Sequence, residues 1–521
     1  MKYFYLLFFG SCLFAQTPGE LDASFSSDGF VTASFNEFDN FLTSMVIQND
    51  NKIVGVGSVY EGPGNGFDFG LCRINTDGTL DSTFAIDGLQ SYTNIVDGKS
   101  TNAILQSDGK VVAVGYSGQY GLGVVKFAIA RYDTNGNLDT SFNETGKLFV
   151  NINNGAVVAK SVKLQTDGKI VVMGYTLTSF GNPKVILLRI NLNGSLDSTF
   201  DNDGILELDV SSSFTEFAKV LLIQSNGKFL IGGQTDDPDE TYNDSDIFVV
   251  RMNADGSLDS TFGSNGLLIM DIDNEDDLSD MALLPDGSIV ISGSSKLEYS
   301  SGSTARVTVL KLDPSGEVDT AFGNNGVFLD SIINESDALD EFTSSILLAP
   351  DNSLYIGGQY GTTYSYESRK GYVARFNPDG NLDTAFADNG IAYLYSYINI
   401  VNSIAFDNDQ KLVVGGTDTS GGDSFRFARM FVSENLSIDE FSEDNSFLIY
   451  PNPVKDQITF KSDKNIAFVS VNDVNGRLLE LEKPTKLNSE YKLDVSHLRD
   501  GIYILNINYE NSKQTLKFIK K

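Results

Sequence analysis

The sequence predicts an all-β fold built from seven copies of a four-stranded unit, because three features recur together along the chain. The first is a motif of the form Leu-Asp-x-[Ser/Thr/Ala]-Phe, as at 80–84, and the second is a hairpin turn such as Asp-Gly-Lys at 108–110. The third is an apolar run after that turn, as at 111–115. Successive motif aspartates lie 58 to 64 residues apart, a period that indicates a repeat architecture. These aspartates are Asp22, Asp81, Asp139, Asp197, Asp259, Asp319 and Asp383.

Each repeat contains four candidate strands, which the first repeat shows at 30–35, 43–48, 52–59 and 67–75. The runs are rich in β-branched and aromatic residues and are separated by turn residues. In most repeats, Asp-Gly or Asn-Gly in the turn before the third run supplies the positive φ angles that tight hairpins need. The third run is almost entirely apolar, which predicts a strand that is buried on both faces.

Four strands in about 60 residues, repeated seven times, favour a seven-bladed β-propeller, since no window shows the sustained apolar period of a helical solenoid. A linear β-solenoid is the main rival, but its coils are usually much shorter. The motif, the Asp/Asn-Gly after it and the Asp-Gly-Lys hairpin together resemble the delta-60 repeat family of β-propeller proteins, over residues 19–432. That resemblance implies a fold and says little about activity. We therefore assign the propeller to residues 17–432.

Residues 1–16 predict a secretory signal peptide, since a positive charge at Lys2 precedes a short apolar run and then small residues. A lipobox at 9–12 that acylates Cys12 is the alternative, although the apolar run continues beyond it. No other stretch is long and apolar enough to cross a membrane. The chain after residue 16 keeps one cysteine, Cys72, so no intramolecular disulfide is expected, and its strand context favours a packed thiol.

The chain is strongly acidic, with a formal net charge of −33. Residues 447–521 carry 12 basic and 9 acidic side chains, and Lys2 adds one positive charge, which leaves −37 on residues 3–446. A surface of this sign repels nucleic acid and anionic membranes, so we expect neither as a partner.

The last part of the chain differs in composition from the repeats. Residues 433–446 mix acidic residues with Ser and Asn, which is typical of a linker, and residues 447–521 predict a small Ig-like β-sandwich. The motifs at 449–453, 471–478 and 498–503, with a basic end at 517–521, resemble the C-terminal sorting domain (type A) of type IX secretion substrates. The resemblance implies recognition by that secretion machinery, passage through a Gram-negative outer membrane, removal of this domain, and release or attachment at the cell surface.

A basic residue stands eight positions before each motif aspartate except the first. Calcium loops of some other propellers carry an acid at the equivalent first place, so we infer that the base replaces the metal and pairs with the aspartate. Asp22 has no upstream base, and Arg429 has no downstream motif, so a closed ring would bring these two together. The predicted structural pairs are Arg73–Asp81, Arg131–Asp139, Arg189–Asp197, Arg251–Asp259, Lys311–Asp319, Arg375–Asp383 and Arg429–Asp22.

Histidine chemistry is excluded from the repeats, because the single histidine, His497, lies in the predicted sorting domain. No phosphate-binding glycine loop is present at a strand-to-helix junction. Acidic clusters remain, and a solvated surface is their default interpretation. Peripheral calcium is the alternative, and a carboxylate pair for glycoside cleavage is conceivable. The calcium candidates are Asp236, Asp237, Asp239, Asp271 and Asp273.

The loop between the third and fourth strands of a repeat varies most in length, and equivalent loops should emerge on one face, where a partner would bind. Tyr360, Tyr364 and Tyr366 lie in or near one such insertion and could stack on a glycan or contact a protein ligand, although packing within the sheet is an alternative role. The leading function is a secreted or cell-surface, non-catalytic binding or adhesion module. An extracellular carbohydrate-active enzyme using Asp/Glu, or a purely structural surface protein, is the alternative.

Overall fold

The computed structural model describes residues 17–432 and 453–521, apart from short gaps within them. The signal peptide predicted at 1–16 and the linker predicted at 433–446 lie outside the described residues. The chain divides into two compact bodies, residues 1–434 and 435–521. The gaps are 92–94, 96, 119–124, 153–154, 178–182, 211–214, 237–244, 297–303, 334–338, 363–368, 395–396, 420–423, 462–465, 467, 474–477, 483–484, 488–489, 500 and 509–512.

Every regular element among the described residues is a β-strand, which confirms the all-β prediction. The strands of the N-terminal body are β1 (Phe30–Ala33), β2 (Asn40–Ile47), β3 (Ile53–Tyr60), β4 (Phe67–Ile74), β5 (Leu89–Gln90), β6 (Gly98–Leu105), β7 (Val111–Ser117), β8 (Lys126–Tyr132), β9 (Lys147–Val150), β10 (Ala156–Leu164), β11 (Ile170–Leu177), β12 (Val185–Ile190), β13 (Ile205–Leu208), β14 (Thr215–Ile223), β15 (Phe229–Asp236), β16 (Ser245–Met252), β17 (Leu267–Met270), β18 (Glu275–Leu283), β19 (Ile289–Lys296), β20 (Arg306–Leu312), β21 (Val327–Asp330), β22 (Asp340–Leu348), β23 (Leu354–Gly361), β24 (Lys370–Phe376), β25 (Ile391–Tyr393), β26 (Ile400–Phe406), β27 (Leu412–Asp418) and β28 (Ser424–Met430).

These strands form four-stranded antiparallel sheets. Sheets 1 to 6 each take four consecutive strands, starting from β2, β6, β10, β14, β18 and β22. Sheet 7 takes β26, β27 and β28 and is completed by β1. A single parallel bridge between Ser245 and Glu275 also joins sheets 4 and 5.

The sequence repeat and the sheet are offset by one strand. We predicted that 30–35 would be the first strand of the first repeat, but β1 pairs with β28, in the register Phe30↔Ala428 to Ala33↔Phe425. In sheets 1 to 6 the strand after the Leu-Asp motif is likewise the fourth strand of the sheet that precedes the motif. The physical reason is that the motif turns the chain back onto the strand it has just left, so pairing continues there.

The second strand of each sheet is buried over most of its length, as its apolar sequence predicted, and the third strand is buried to a similar extent. Val112 and Val114 in β7 are completely buried, and they share a core cluster with Phe127 of β8 and with Val157 and Val172 of the next sheet. Core clusters thus form between successive sheets, which stabilises the stack by apolar burial. Cys72 is also fully buried, and burial raises the pKa of its thiol to about 12.

The first strands of the sheets lie next to one another. Each of β2, β6, β10, β14, β18, β22 and β26 contacts the first strand of the following sheet, and β26 contacts β2. Asn402 in β26 donates from Nδ2 to the carbonyl of Leu42 in β2 at 2.7 Å, and the Thr43 and Ser100 hydroxyl oxygens lie 3.0 Å apart between β2 and β6. The first strands therefore surround a common axis.

The C-terminal body contains two antiparallel sheets with a shared apolar core. Its strands are β29 (Gln457–Lys461), β30 (Phe468–Asp473), β31 (Leu478–Glu482), β32 (Thr485–Leu487), β33 (Glu490–Asp494), β34 (Gly501–Asn508) and β35 (Lys513–Lys520). One sheet has the order β29-β33-β32 and the other β31-β30-β34-β35. Phe460 and Leu493 of the first sheet share a core cluster with Val469, Leu505 and Phe518 of the second.

Candidate functional site

The motif aspartate is fully engaged by neighbouring donors, as Asp81 shows. Its Oδ2 accepts hydrogen bonds from Arg73 Nε at 2.7 Å and Lys52 Nζ at 2.8 Å. Its Oδ1 accepts from the Thr83 backbone N–H at 3.0 Å and the Thr83 hydroxyl at 2.6 Å. Burial opposes ionisation of Asp81, but the hydrogen bonds from Lys52 and Thr83 and the charge of Arg73 outweigh it and hold the pKa well below its usual range.

The same ion pair recurs in the other sheets at the positions that the eight-residue spacing picks out. The closest nitrogen-to-oxygen distances are 2.8 Å for Arg131–Asp139, 2.6 Å for Arg189–Asp197, 2.6 Å for Arg251–Asp259, 2.9 Å for Lys311–Asp319 and 3.2 Å for Arg375–Asp383.

A second base, the lysine of the hairpin turn, was missed by the sequence analysis. It reaches the motif aspartate of its own sheet in sheets 1 to 4, where Lys110, Lys169 and Lys228 lie 3.0, 2.8 and 2.6 Å from their aspartates. The signal was present, because lysine recurs at one turn position, but it looked like a solvated turn residue. In sheets 5 and 6 serine stands at that position, and Arg375 also reaches Asp351 in the turn at 2.9 Å.

The motif arginine also joins consecutive sheets. Arg73 donates from Nη1 to the carbonyl of Thr134 in the next sheet at 2.7 Å. Its guanidinium carbon lies 4.6 Å from the ring centroid of the motif Phe84, which is buried. Arg251 donates in the same way to Pro314. In sheets 1 to 4 the aspartate, the two bases and the phenylalanine therefore form one contact group, and both carboxylate oxygens of Asp81 already accept hydrogen bonds within it.

Sheets 7 and 1 are joined by the same contacts, with residues from opposite ends of the propeller region. Arg429 Nε and Lys411 Nζ lie 2.8 and 2.7 Å from Asp22 Oδ2, and Arg429 Nη1 donates to the Thr76 carbonyl at 2.8 Å. Burial opposes ionisation of Asp22, but hydrogen bonds from Lys411 and Ser24 and the charge of Arg429 lower its pKa to about 2. Just before it, the Gly19 N–H donates to the Phe431 carbonyl at 2.7 Å.

Tyr360 is not available to a ligand, so our prediction for this residue is wrong. Its side chain is completely buried in β23, with ring centroids of Tyr372 and Tyr393 at 6.4 and 6.2 Å. The second strand of a sheet is packed on both sides, and this burial overrides the proximity of Tyr360 to a variable loop. Tyr364 and Tyr366 lie outside the described residues.

The acidic cluster that the structure describes differs from the one predicted. Carboxylate oxygens of Asp246, Asp271 and Asp276 lie within 4.8 Å of one another. Asp276 is buried, and its Oδ2 accepts from the Ile272 and Asp273 N–H groups at 2.7 and 3.1 Å. Burial raises its pKa to about 6 despite those hydrogen bonds.

Of the remaining calcium candidates, Asp273 has a described side chain, and it lies outside this cluster. Asp273 instead faces Arg306, with Nη2 and Oδ2 3.5 Å apart. Asp237 and Asp239 lie outside the described residues, and Asp236 is described only in its backbone, at the end of β15.

A pocket of about 470 Å³ opens on the axis that the first strands surround. Four sheets line it, with residues from the start of their first strands and the end of their second strands, and we call it the axial pocket. The variable loops leave from these second-strand ends, whereas the motif aspartates follow the opposite ends of the sheets. Its lining includes Phe41, Thr43, Lys99, Tyr116, Lys160 and Tyr175.

Each of the two lysines that line the axial pocket lies over an aromatic ring. Lys99 Nζ lies 4.2 Å from the ring centroid of Phe67, and Lys160 Nζ lies 5.8 Å from that of Tyr175. Burial and the nearby charge of Lys219 lower the pKa of Lys160, although Asp277, which pairs with Lys219, opposes this. Burial also raises the pKa of Tyr175. This pocket is not visible in the sequence, because its residues come from four different repeats.

Two family models match the chain. A secretion system C-terminal sorting domain covers residues 448–521. A β-propeller repeat of unknown function, DUF5122, matches at 48–84, 106–142, 165–200, 224–262, 284–322 and 349–386, each match running from the hairpin turn to the motif. The chain carries DUF5122 β-propeller repeats and a secretion sorting domain. This confirms the propeller repeats and the sorting domain, and it indicates export by the type IX secretion system to the cell surface or the medium.

A comparison with solved structures finds matches of low sequence identity and low TM-score. PorZ, described as an essential bacterial surface component of the type IX secretion system of Porphyromonas gingivalis, is 12% identical over 94% of this chain and 61% of its own, with a TM-score of 0.38. The polysaccharide lyase Uly1 is 12% identical over 77% of this chain and 92% of its own, with a TM-score of 0.47.

The propeller domain of the Trilobed protease from Pyrococcus furiosus is 10% identical over 78% of this chain and 99% of its own, with a TM-score of 0.39. A search of curated proteins returns no match. In the described part of the propeller repeat protein, no helix is long and apolar enough to cross a membrane.

Proposed function

We propose that the propeller is a non-catalytic binding or adhesion module that acts at the cell surface or in the medium, with the axial pocket as its ligand site. The axial pocket carries this proposal, because it combines two lysines, two tyrosines and several hydroxyl groups in one concave site. Concave sites with a few converging polar groups and aromatic walls are the usual form of a small-ligand site.

The location of the pocket supports the same function. The motif aspartates, which would be the first suspects for chemistry, are held by arginine and lysine at the opposite ends of the sheets. The loops that differ most between repeats begin at the ends that surround the pocket. A rigid ring of sheets with variable loops on one face is suited to present a binding surface.

We also propose that the repeats form one closed ring of seven blades. The pairing of β1 with β28, the contact between β26 and β2, and the Asp22–Arg429 ion pair support this arrangement. An open array would leave β2 and β26 as exposed first strands at two ends.

We propose in addition that residues 1–16 direct the first export step and that the machinery of type IX secretion recognises residues 447–521 and removes them at the Gram-negative outer membrane. The two sheets of the C-terminal body support an Ig-like sandwich for this domain. Residues 433–446 would then be the linker between the propeller and this domain, and cleavage of the linker would release the propeller from it.

The binding proposal is tested by filling the pocket. Thr101 lines the axial pocket from β6, and a Thr101→Trp variant should block it. Ser279 holds the corresponding place in β18 and is not among the lining residues, so Ser279→Trp is a matched control. We expect the full-length protein and the Ser279→Trp variant to bind the same members of an array of glycans and peptides, and Thr101→Trp to lose them. Unchanged binding by Thr101→Trp, or cleavage of a bound glycan, would overturn the proposal.

A further inference from the structure

We infer that the ligand of the axial pocket is an anionic oligosaccharide, one that carries carboxylate or sulfate groups. This inference rests on the proposed binding function and specifies the chemistry of its ligand. It follows from the sign of the charges in the pocket, from what those charges contact, and from the groups around them.

The sign of the charge in the pocket is opposite to that of the chain. The protein has a net charge of −33, yet the described lining residues of the axial pocket include Lys99 and Lys160 and no aspartate or glutamate. Lys219 adds a third ammonium beside Lys160, and its charge is balanced by Asp277. A positive pocket within a negative surface selects for small or local anionic groups, since an extensive polyanionic surface would be repelled by the rest of the molecule.

The two pocket lysines differ from the hairpin lysines in what they contact. Lys52 is held 2.8 Å from the carboxylate of Asp81. Within the part of the chain that the structure describes, neither Lys99 nor Lys160 has a carboxylate within 4 Å, and each lies over an aromatic ring instead. Burial and the charge of Lys219 disfavour the charged, protonated form of Lys160 and so lower its pKa. An anion bound in the pocket would offset this effect by pairing with the Lys160 ammonium group.

The other groups of the pocket favour a carbohydrate over a simple anion. Tyr116 and Tyr175 are half-buried and present aromatic surface, while Thr43, Thr101 and Asn402 bring hydroxyl and amide groups to the same space. Sugars combine apolar C–H faces with many hydroxyl groups, which matches aromatic walls with hydrogen-bonding groups between them. The volume of about 470 Å³ lies within the range of small-ligand sites.

The experiment compares ligands and lysine variants on the full-length protein. The probes are uronate oligomers, sulfated oligosaccharides, neutral oligosaccharides of equal length and an oligoglutamate peptide, which separate carboxylate, sulfate, sugar and peptide. We expect binding of one acidic oligosaccharide class, weakening as salt rises from 50 to 500 mM, because salt screens the attraction. Lys99→Gln and Lys160→Gln should each weaken it by about tenfold or more, since each leaves an anionic group unpaired.

Control variants keep the result interpretable. Lys126→Gln removes an exposed lysine of β8 outside the pocket and should change nothing, and Lys160→Arg should retain most of the binding. Equal binding of neutral and acidic sugars, or binding that Thr101→Trp abolishes but Lys99→Gln and Lys160→Gln leave unchanged, would overturn the anionic ligand while leaving the binding function intact. Lysine-dependent binding of oligoglutamate without acidic sugars would overturn the carbohydrate. No pocket-dependent binding of any probe would count against the binding function itself.

Discussion

Arg429 and Asp22 are 407 positions apart in the chain, and Arg429 Nε donates to Asp22 Oδ2 over 2.8 Å. Both side chains are buried, and the same contact joins residues only eight positions apart in the other sheets. A contact that is local in the other sheets is therefore made, in sheet 7, between residues from the two ends of the propeller region. The contact therefore depends on how neighbouring sheets pack against each other, and it does not require the two residues to be close in sequence.

Breaking this contact should destabilise the fold from either side. Asp22→Ala should lower the free energy of unfolding by roughly 3 to 5 kcal/mol, because it leaves the buried Arg429 without its closest carboxylate. Arg429→Ala should lower it by less, because Lys411 remains 2.7 Å from Asp22. The double variant should cost clearly less than the sum, as measured by chemical denaturation. Losses that add without coupling would contradict closure of the ring through this pair. Lys126→Ala, on the surface of β8, is the control and should be neutral.

Replacing the base of sheet 5 should stabilise the protein. Lys311 Nζ lies 2.9 Å from Asp319 Oδ2, but lysine lacks the second nitrogen with which Arg251 donates a hydrogen bond to the Pro314 carbonyl of the next sheet. Lys311→Arg would add an equivalent hydrogen bond to the sheet that follows it, so we expect a gain of about 0.5 to 1.5 kcal/mol in the free energy of unfolding. Thermal unfolding measures it, with Lys126→Arg as the control. A lower melting temperature would show that the arginine cannot be accommodated there.

Asp276 should make stability depend on pH. Its pKa of about 6 in the folded protein lies above the ordinary value of 3.8 for an aspartate, so the folded state binds more protons than the unfolded state between these values. This contribution is fully present below about pH 4 and is lost as the pH rises through 6, by up to roughly 3 kcal/mol.

Asp276→Asn removes this titration and keeps an oxygen for the Ile272 and Asp273 N–H groups. Denaturation of both proteins between pH 4 and 8 should therefore show the wild type losing stability relative to the variant as the pH rises. Glu37→Gln, on an exposed carboxylate, should follow the wild type. A constant difference between wild type and Asp276→Asn across this range would contradict the assignment.

Tyr360 and Tyr116 should separate stability from binding. Tyr360→Ala removes a fully buried ring and should cost about 3 to 5 kcal/mol. Tyr116→Ala removes a half-buried wall of the axial pocket, and should weaken ligand binding while lowering the melting temperature much less. Calorimetry and binding measurements on both variants test this. Loss of ligand affinity by a folded Tyr360→Ala protein, with Tyr116→Ala unaffected, would reverse the assignment.

The sequence predicted the features that are local and repeated. The eight-residue spacing predicted that Arg73 pairs with Asp81, and the apolar run predicted the buried strand at 111–115. The assignment of 30–35 to the first sheet was wrong, since its partner strand is β28 and no residue near 30–35 indicates that pairing. The hairpin lysines were missed because a lysine beside Asp-Gly looks like an ordinary solvated turn.

The axial pocket could not be predicted from the repeat, for a geometric reason. Lys99 precedes the β-bulge of β6, which lies between Ser100 and Asn102, whereas Lys160 lies within the bulge of β10, between Ala159 and Ser161. The two lysines therefore occupy different positions of the repeat and show no common spacing. They come together because the first strands surround one axis, which is a property of the assembled sheets.

The pairing of β1 with β28 sets an order of events for a newly made chain. Sheets 1 to 6 can each form from consecutive strands as these are synthesised. Sheet 7 cannot be completed until residues 424–430 have been made, because residues 30–33 pair with them. Until then, β1 has no partner strand and the Asp22 carboxylate has no arginine. Folding of the propeller is therefore finished by its first strand, after nearly four hundred further residues have been made, so a chain interrupted before β28 retains an unpaired strand that proteases and other sheet edges can reach.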